Sequence, residues 1–482
     1  MLAKSLQRIW NSPTVMSWGS LAARLLGFVV VLPLVLARFP AETVSVWLLF
    51  ATLSGMQLLA DMGFAPTFSR VIAYAMGGAD ITRLGDYRSL DGPRSDGRPN
   101  WEAVGHIVST MRPIYARLAL VFFGLLLVLG TWALVRPVSA MEHQASAWLA
   151  WVVVLCSVSY ALYSSLYASY LLGTNHVTVL RRWEMLTGLG TVVATLLALF
   201  LFGDLLSLVI AGQAGLLAQV LCNRWLCHRL EGGRFRRFTE HVVHREVFDA
   251  VWPSAWRSGV AVFMGFGMLH ASGIVYAQIG SAIETAAYLL ALRLIQIVSV
   301  FSQAPFYTKL PQLAALRAQG DHRQQVQLAK RGMTWSYWTF VAGFVGVGLL
   351  ADVLLDAVNS NTPFVHPWLW SLLGIAIFVE RYGAMHVNLY STTNHIISHV
   401  ANGVSGLIFV AVSALLLPRV GIYAFPAGLL AGNLGFYAWY SALHSYRSLN
   451  LRFWSFERTS MLPALAVVLL YSAWASLSLV TG

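Results

Sequence analysis

The sequence predicts an all-α polytopic membrane protein on three observations: its composition, the length of its apolar runs and the placement of its charges. Of 482 residues, 57% are hydrophobic and 11% charged, against roughly 45–50% and 25% in an ordinary soluble domain. Water is excluded as the solvent for so much apolar surface, which leaves lipid. A helix that crosses the hydrocarbon core needs about 20 mostly apolar residues. Thirteen such runs are present, at 14–37, 43–62, 115–135, 146–171, 177–202, 205–226, 254–278, 283–304, 334–356, 366–389, 395–417, 421–443 and 460–480. The net charge of +12 is topological and gives no sign of nucleic acid. Twenty-six of the 32 basic residues fall in one set of alternate connections and helix mouths, and three fall in the other. That asymmetry orients the chain with its N-terminus in the cytoplasm.

Taken in order, the first run is too long for a removable signal, carries Arg24 at its middle and lacks a small-residue cleavage pattern. Ahead of it Leu2, Leu6, Ile9 and Trp10 alternate with Lys4 and Arg8, the composition of an interfacial anchor. The second run ends on Asp61, Gly63 and Arg70 and leads into a loop, Gly77 to Arg112, rich in Gly, Pro, Asp and Arg. Run four carries Tyr160, Tyr163, Tyr167 and Tyr170 at helical spacing, a stripe that suits either helix packing or stacking on sugars. Glu184 is expected to pair locally with Arg181 or Arg182. After run six comes a basic linker containing Arg234, Arg236 and Arg237. Cys156, Cys222 and Cys227 all lie in apolar stretches and read as buried small side chains, with no disulfide framework or metal site.

The linker separates two similar halves. "GFAPTFSRVIAYA" after run two matches "SQAPFYTKLPQLA" after run eight, setting Arg70 against Lys309 at an offset of 239. "AETVSVWLL" resembles "IETAAYLLA" at 242, and Pro13 and Gly27 face Pro253 and Gly267 at 240. The near-constant offset predicts a duplicated six-helix unit. Six is even, so the copies run in the same direction, as a parallel repeat. The expected organisation is a six-helix lobe over 1–230, a cytoplasmic linker over 231–252, a second six-helix lobe over 253–447, and an extra helix within 448–482.

At this point the residues resemble a family. "LLADMGFAPTFSRVIAYA", with Asp61, Gly63 and Arg70, is similar to the D-x-G-(x)6-R signature of polysaccharide exporters in the multidrug/oligosaccharidyl-lipid/polysaccharide (MOP) superfamily, the Wzx-type O-antigen flippases in particular. "ETAAYLLALRLIQIVSVFSQAPFYTKLPQLAALRAQGD" and "YASYLLGTNHVTVLRRWEMLTGLG" resemble the family's eighth helix and its fourth-to-fifth turn. The resemblance runs from Thr14 to Arg447. It implies a MATE/MOP-like fold of 12–14 transmembrane helices, two six-helix lobes around a central cavity. It also implies transfer of an undecaprenyl-diphosphate-linked oligosaccharide from the cytoplasmic to the periplasmic leaflet of the bacterial inner membrane. A proton or sodium ion is the implied coupling ion, and a polymerase and a chain-length regulator of the same pathway are the implied partners.

The candidate residues follow from depth. A charge at the bilayer centre costs at least about 2.5–3.5 kcal/mol on insertion scales and therefore faces a polar interior by default. Arg24 lies about 15 Å into the first run at 1.5 Å per residue, and Arg293 reaches the same depth in the eighth from the opposite face. A guanidinium presents a planar fork of donors suited to phosphates. Gln296 and Gln303 make the Arg293 face polar. The alternative for each is a buried arginine satisfied by carbonyls or an acid. Arg257, at a helix mouth, either receives the headgroup first or snorkels to the interface, and Arg70 meets an anionic substrate or anionic lipid. Asp61, Glu380 and His386 are candidates for ion coupling, against helix capping and internal networks as the structural alternatives. Glu380 and Arg381 point about 100° apart and are not expected to pair.

No Gly-x-x-x-x-Gly-Lys loop, metal-ligand spacing or nucleophile with a base occurs in the sequence. The expectation is a secondary transporter with no cofactor, no metal and no catalytic residues. The rivals are a multidrug or organic-cation exporter of the same superfamily, expected to carry an acidic, aromatic cavity, and an integral membrane glycosyltransferase or polymerase. The latter needs catalytic acids at an interface or a long Arg-rich periplasmic loop, and the sequence has neither.

Overall fold

A computed structural model describes residues 10, 16, 19–20, 22–23, 26–78, 98–319, 321–393, 395 and 397–481. Arg24, the segment 1–9 and loop residues 79–97 lie outside them. Among the described residues the regular elements are all helical. The first run ends in a π-helical turn, Gly27–Val31, and α1 (Leu32–Arg38). There follow α2 (Ala41–Gly55), α3 (Phe64–Met76), α4 (Trp101–Ser139), α5 (Gln144–Gly173), α6 (Val177–Leu201), α7 (Leu205–Arg229) and α8 (Arg245–Tyr276). Then come α9 (Ala282–Tyr307), α10 (His322–Ala357), α11 (Pro367–Ser391) and α12 (Ser398–Val420). Helix α13 starts as Ala424–Gly432 and passes through a π turn into Ala438–Leu449, followed by α14 (Phe453–Glu457) and α15 (Leu462–Thr481). Among the described residues, the twelve apolar runs from 43–62 onward fall on these helices. Among the described residues eight helical stretches are long and apolar enough to cross a membrane, nine if the bent α8 counts as one span, so this is an integral membrane protein. The stretch Ser398–Leu449 among them is a hairpin: the chain turns at Gly421–Tyr423, and Ser413 on α12 donates to the carbonyl of Ala424 on α13 at 3.3 Å.

Two compact units divide the chain, Met1–Gly259 and Val260–Gly482, with the boundary inside α8. In the first, Phe64, Phe68, Val71 and Ile72 of α3 pack on Val104, Ile107, Val108 and Tyr115 of α4, on Leu166 and Tyr170 of α5, and on Val247 and Val251 of α8. The linker joins this core: after a short 3-10 turn, Glu231–Arg237, Phe235 is buried against Tyr167, Tyr170 and His228. Tyr167 and Tyr170 are thus packing residues, while Tyr160 and Tyr163 stack on each other at 6.4 Å and stay partly accessible. Of the cysteines, Cys227 is buried, Cys222 intermediate and Cys156 exposed. The expectation of three buried thiols is corrected, because an apolar helix turns part of its surface to lipid and a small apolar side chain is tolerated there. Glu184 pairs with Arg181 at 2.8 Å, as expected.

In the second unit Phe340 and Phe344 of α10 pack on Phe378 and Trp370 of α11. Trp370 satisfies its buried indole by donating to the carbonyl of Phe344 at 3.2 Å. Between apolar helices in lipid, such close packing and interhelical hydrogen bonds replace exclusion of water as the cohesive force.

Candidate functional site

The signature Asp-x-Gly of the N-terminal unit is a helix break. Met62 and Gly63 have φ of 49° and 74°, and Gly63 also lies so close to α8 that a Cβ there would be 2.5 Å from that of Ser258. Glycine meets both demands at no steric cost. Asp61 then caps α3, accepting from the backbone N–H of Ala65 at 3.0 Å through Oδ2 and from the Tyr115 hydroxyl at 3.1 Å through Oδ1. Arg70 is exposed on α3. Arg257 is exposed on α8, its guanidinium 5.9 Å from the Trp256 ring centroid.

The C-terminal unit gathers the other candidates on α9 and α11. Arg293, Gln296, Ser299, Gln303 and Tyr307 follow one another at helical spacing and form a polar line down an otherwise apolar α9. Helix α11 answers with Glu380, Arg381 and Asn388. Arg381 is fully buried and donates through Nη2 to Ser299 Oγ. Gln303 turns its amide oxygen to the same guanidinium, accepting from Nη1 and Nη2 at 3.1 Å each. Asn388 donates to the hydroxyl of Tyr307 at 2.9 Å and to the carbonyl of Ala384 at 2.7 Å.

Glu380 does reach Arg381, at 3.6 Å. The expectation that the adjacent pair would stay apart fails because two long side chains span an angle their Cα–Cβ vectors do not. Glu380 nevertheless keeps 33% of its side chain accessible, while Arg381 has none. Arg381 is therefore a clamp between helices, and Glu380 and the partly exposed Arg293 are the charges this polar line presents. The arrangement is suited to hold an anion at Arg293 and a cation or proton at Glu380.

His386 belongs to a different network. Its Nε2 lies 3.1 Å from Glu457 Oε1 on α14, both side chains fully buried. The same carboxylate accepts from Tyr446 at 2.7 Å and Ser460 at 2.7 Å, and Tyr446 shares a 2.8 Å hydrogen bond with Tyr382. Burial alone would raise the carboxyl of Glu457, but the His386 ring and the hydroxyls of Ser460 and Tyr446 outweigh it and hold this group below the ordinary carboxylate range. Glu457, Ser299 and Asn388 carry no signal in the sequence, because each acquires its role only from a partner on another helix.

No protein-family model and no curated protein matches the chain. Among solved structures, it is similar to an inward-facing multidrug resistance MATE family transporter of the MOP superfamily at TM-score 0.65 and 11% identity. That likeness covers 92% of this chain and 99% of that one. The lipid II flippase MurJ, in an inward closed conformation, matches at TM-score 0.56 and 11% identity, covering 96% and 98%. The Vibrio cholerae MATE transporter VcmN matches at 0.54 and 14%, covering 93% and 98%. At such identities these likenesses establish the fold alone, and that fold is the all-helical membrane architecture of MATE transporters and MurJ.

Proposed function

We propose that the protein is a flippase that carries an undecaprenyl-diphosphate-linked oligosaccharide, an O-antigen or exopolysaccharide repeat unit, from the cytoplasmic to the periplasmic leaflet of the inner membrane. The observation that carries this reading is Arg293 at the head of the polar line of α9, a partly accessible arginine at mid-depth in an apolar span. There an anionic headgroup gains charge-assisted hydrogen bonds in a low-dielectric setting. The motifs around Asp61 and Arg293 resemble those of Wzx-type exporters, and MurJ, which shares the fold, is a lipid II flippase. Arg24 enters the proposal on its sequence position, as a second headgroup ligand. Arg257 and Arg70, both exposed, receive the substrate from the cytoplasmic side, the side on which the excess of basic residues is expected to lie.

Glu380 is the coupling residue in this reading, since it is the acid left accessible beside the polar line. Asp61, held by Ala65 and Tyr115, acts as a helix cap, and His386, held through Nε2 by Glu457, as a network anchor. Export of organic cations is the second reading, favoured by the same Glu380 and by the MATE likeness. Deleting the gene and measuring lipid-linked oligosaccharide in each leaflet separates the two. The flippase reading expects inner-leaflet accumulation and unchanged drug sensitivity. Normal glycan export together with drug hypersensitivity would sink it in favour of the second.

A further inference from the structure

Arg293 has a neighbour that neither the sequence motifs nor the transport reading uses. Helices α8 and α9 are antiparallel, and two hydrogen bonds set their register: Tyr276 donates to Glu284 at 3.3 Å, and Tyr288 to Ser272 at 2.9 Å. Gly273 lies so close to α9 that a Cβ there would be 2.7 Å from Cδ2 of Leu289. From that contact, His270 is three residues back along α8 and Arg293 four residues on along α9. Antiparallel helices make both steps point the same way, by about 4.5 Å and about 6 Å at 1.5 Å per residue. Residues three and four apart share a helix face. The imidazole and the guanidinium therefore stand at one level, on one side of the helix pair, and both are partly accessible. Their electrostatic interaction follows from that placement, and Arg293 is the charge that acts on His270. On the same pair Tyr276 and Tyr288 are engaged with Glu284 and Ser272. Helix α12 packs on α8 near Gly265 and Met264 through the neutral Asn402 and Gly406.

We propose that His270 takes up a proton when an anionic diphosphate headgroup binds at Arg293, so that anion binding and proton binding are linked at one point of the C-terminal unit. Two cations side by side repel each other. A multiply charged anion beside them attracts both, which stabilises the imidazolium relative to the imidazole only while the anion is bound. Histidine's ordinary charge change lies near neutral pH, and a bound anion offsets the Arg293 charge that disfavours the imidazolium. The chemistry is a simple protonation of the His270 ring by solvent, released again when the headgroup leaves. The proposal rests on the reading of Arg293 as a headgroup ligand and adds the proton to it.

The test uses the purified full-length protein in detergent and farnesyl diphosphate as the probe, titrated by calorimetry at pH 6, 7 and 8 in buffers of different ionisation enthalpy. Wild type should take up a proton on binding beyond what the probe itself does, and bind more tightly as pH falls, approaching about tenfold per pH unit for one linked proton. His270→Gln should lose that extra uptake and slope while matching the wild-type affinity at pH 8 within about twofold. His270→Lys, which carries a charge throughout, should bind with no excess slope and guards against a glutamine variant that misfolds. If Arg293→Gln loses binding but His270→Gln keeps the full wild-type slope, the proton linkage is wrong and the headgroup reading stands. If Arg293→Gln binds as wild type does, the headgroup reading itself fails.

Discussion

Asp61 in the N-terminal unit and Glu380 in the C-terminal unit are both acids set among apolar helices, and their surroundings differ in a way that separates structure from function. Asp61 has one oxygen on the backbone N–H of Ala65 and the other on the Tyr115 hydroxyl, at the turn where Met62 and Gly63 break the helix. It is a short carboxylate doing what a capping residue does. Glu380 lies in mid-helix, has Arg381 at 3.6 Å, and leaves a third of its side chain accessible. The two arginines of the C-terminal unit divide in the same way. Arg381 is sealed between Ser299, Gln303 and Glu380, while Arg293 is partly open at the end of the polar line. Sequence position distinguishes neither pair, because what matters is how much of each side chain the fold leaves accessible.

The sharpest way to break this division is to remove the sealed groups. Glu457→Ala strips His386, Tyr446 and Ser460 of their common partner, and losing one side of a buried pair costs about 3–5 kcal/mol. Arg381→Ala, leaving Glu380 without its guanidinium, belongs to the same range. Thermal unfolding in detergent should show both losses clearly, and Arg293→Ala, which removes a partly accessible side chain, should show a smaller one. A melting temperature for Arg381→Ala equal to that of Arg293→Ala would erase the distinction between clamp and ligand.

Asp61 comes next. Asp61→Ala should cost about 1–2 kcal/mol through loss of a helix cap, while Asp61→Asn, whose amide oxygen still accepts from Ala65, should lose only part of that and retain transport. Abolished transport in a stable Asp61→Asn protein would move ion coupling to the N-terminal unit. A smaller effect, about 1 kcal/mol for one hydrogen bond, is expected for Tyr446→Phe. The smallest is the pH dependence of Glu457. Its carboxyl is held below the ordinary range in the folded protein, so the associated stability is fully present above the unfolded value near 4.3 and disappears as pH falls through the folded one. Wild type should therefore lose melting temperature below about pH 4 more steeply than Glu457→Gln.

Much of the architecture is legible in the sequence because lipid makes the helical pattern nearly continuous: among the described residues, the apolar runs from 43–62 onward fall on helices. The break at Asp61–Gly63 is legible too, as a capping acid followed by a glycine that meets a positive φ. Arg293, with Gln296 and Gln303 on the same face, is visible as polarity at helical spacing. What lies across helices is not. Glu457 becomes the partner of His386 only when α14 folds back on α11, 71 positions away in sequence. Asn388 meets Tyr307 across 81. His270 sits one helix before Arg293 and is an ordinary histidine in an apolar run until the register of α8 on α9 sets it beside a guanidinium. The Glu380–Arg381 contact was obscured for another reason, since side-chain length overrides the angle between neighbouring residues.

The central claim is that Arg293 binds the diphosphate of a lipid-linked glycan during transfer between leaflets. It is tested most directly by reconstituting the protein in vesicles with undecaprenyl-diphosphate oligosaccharide in one leaflet and measuring its appearance in the other. Wild type should transfer it rapidly, and a folded Arg293→Ala variant no faster than protein-free vesicles. Wild-type transfer by Arg293→Ala would contradict the claim.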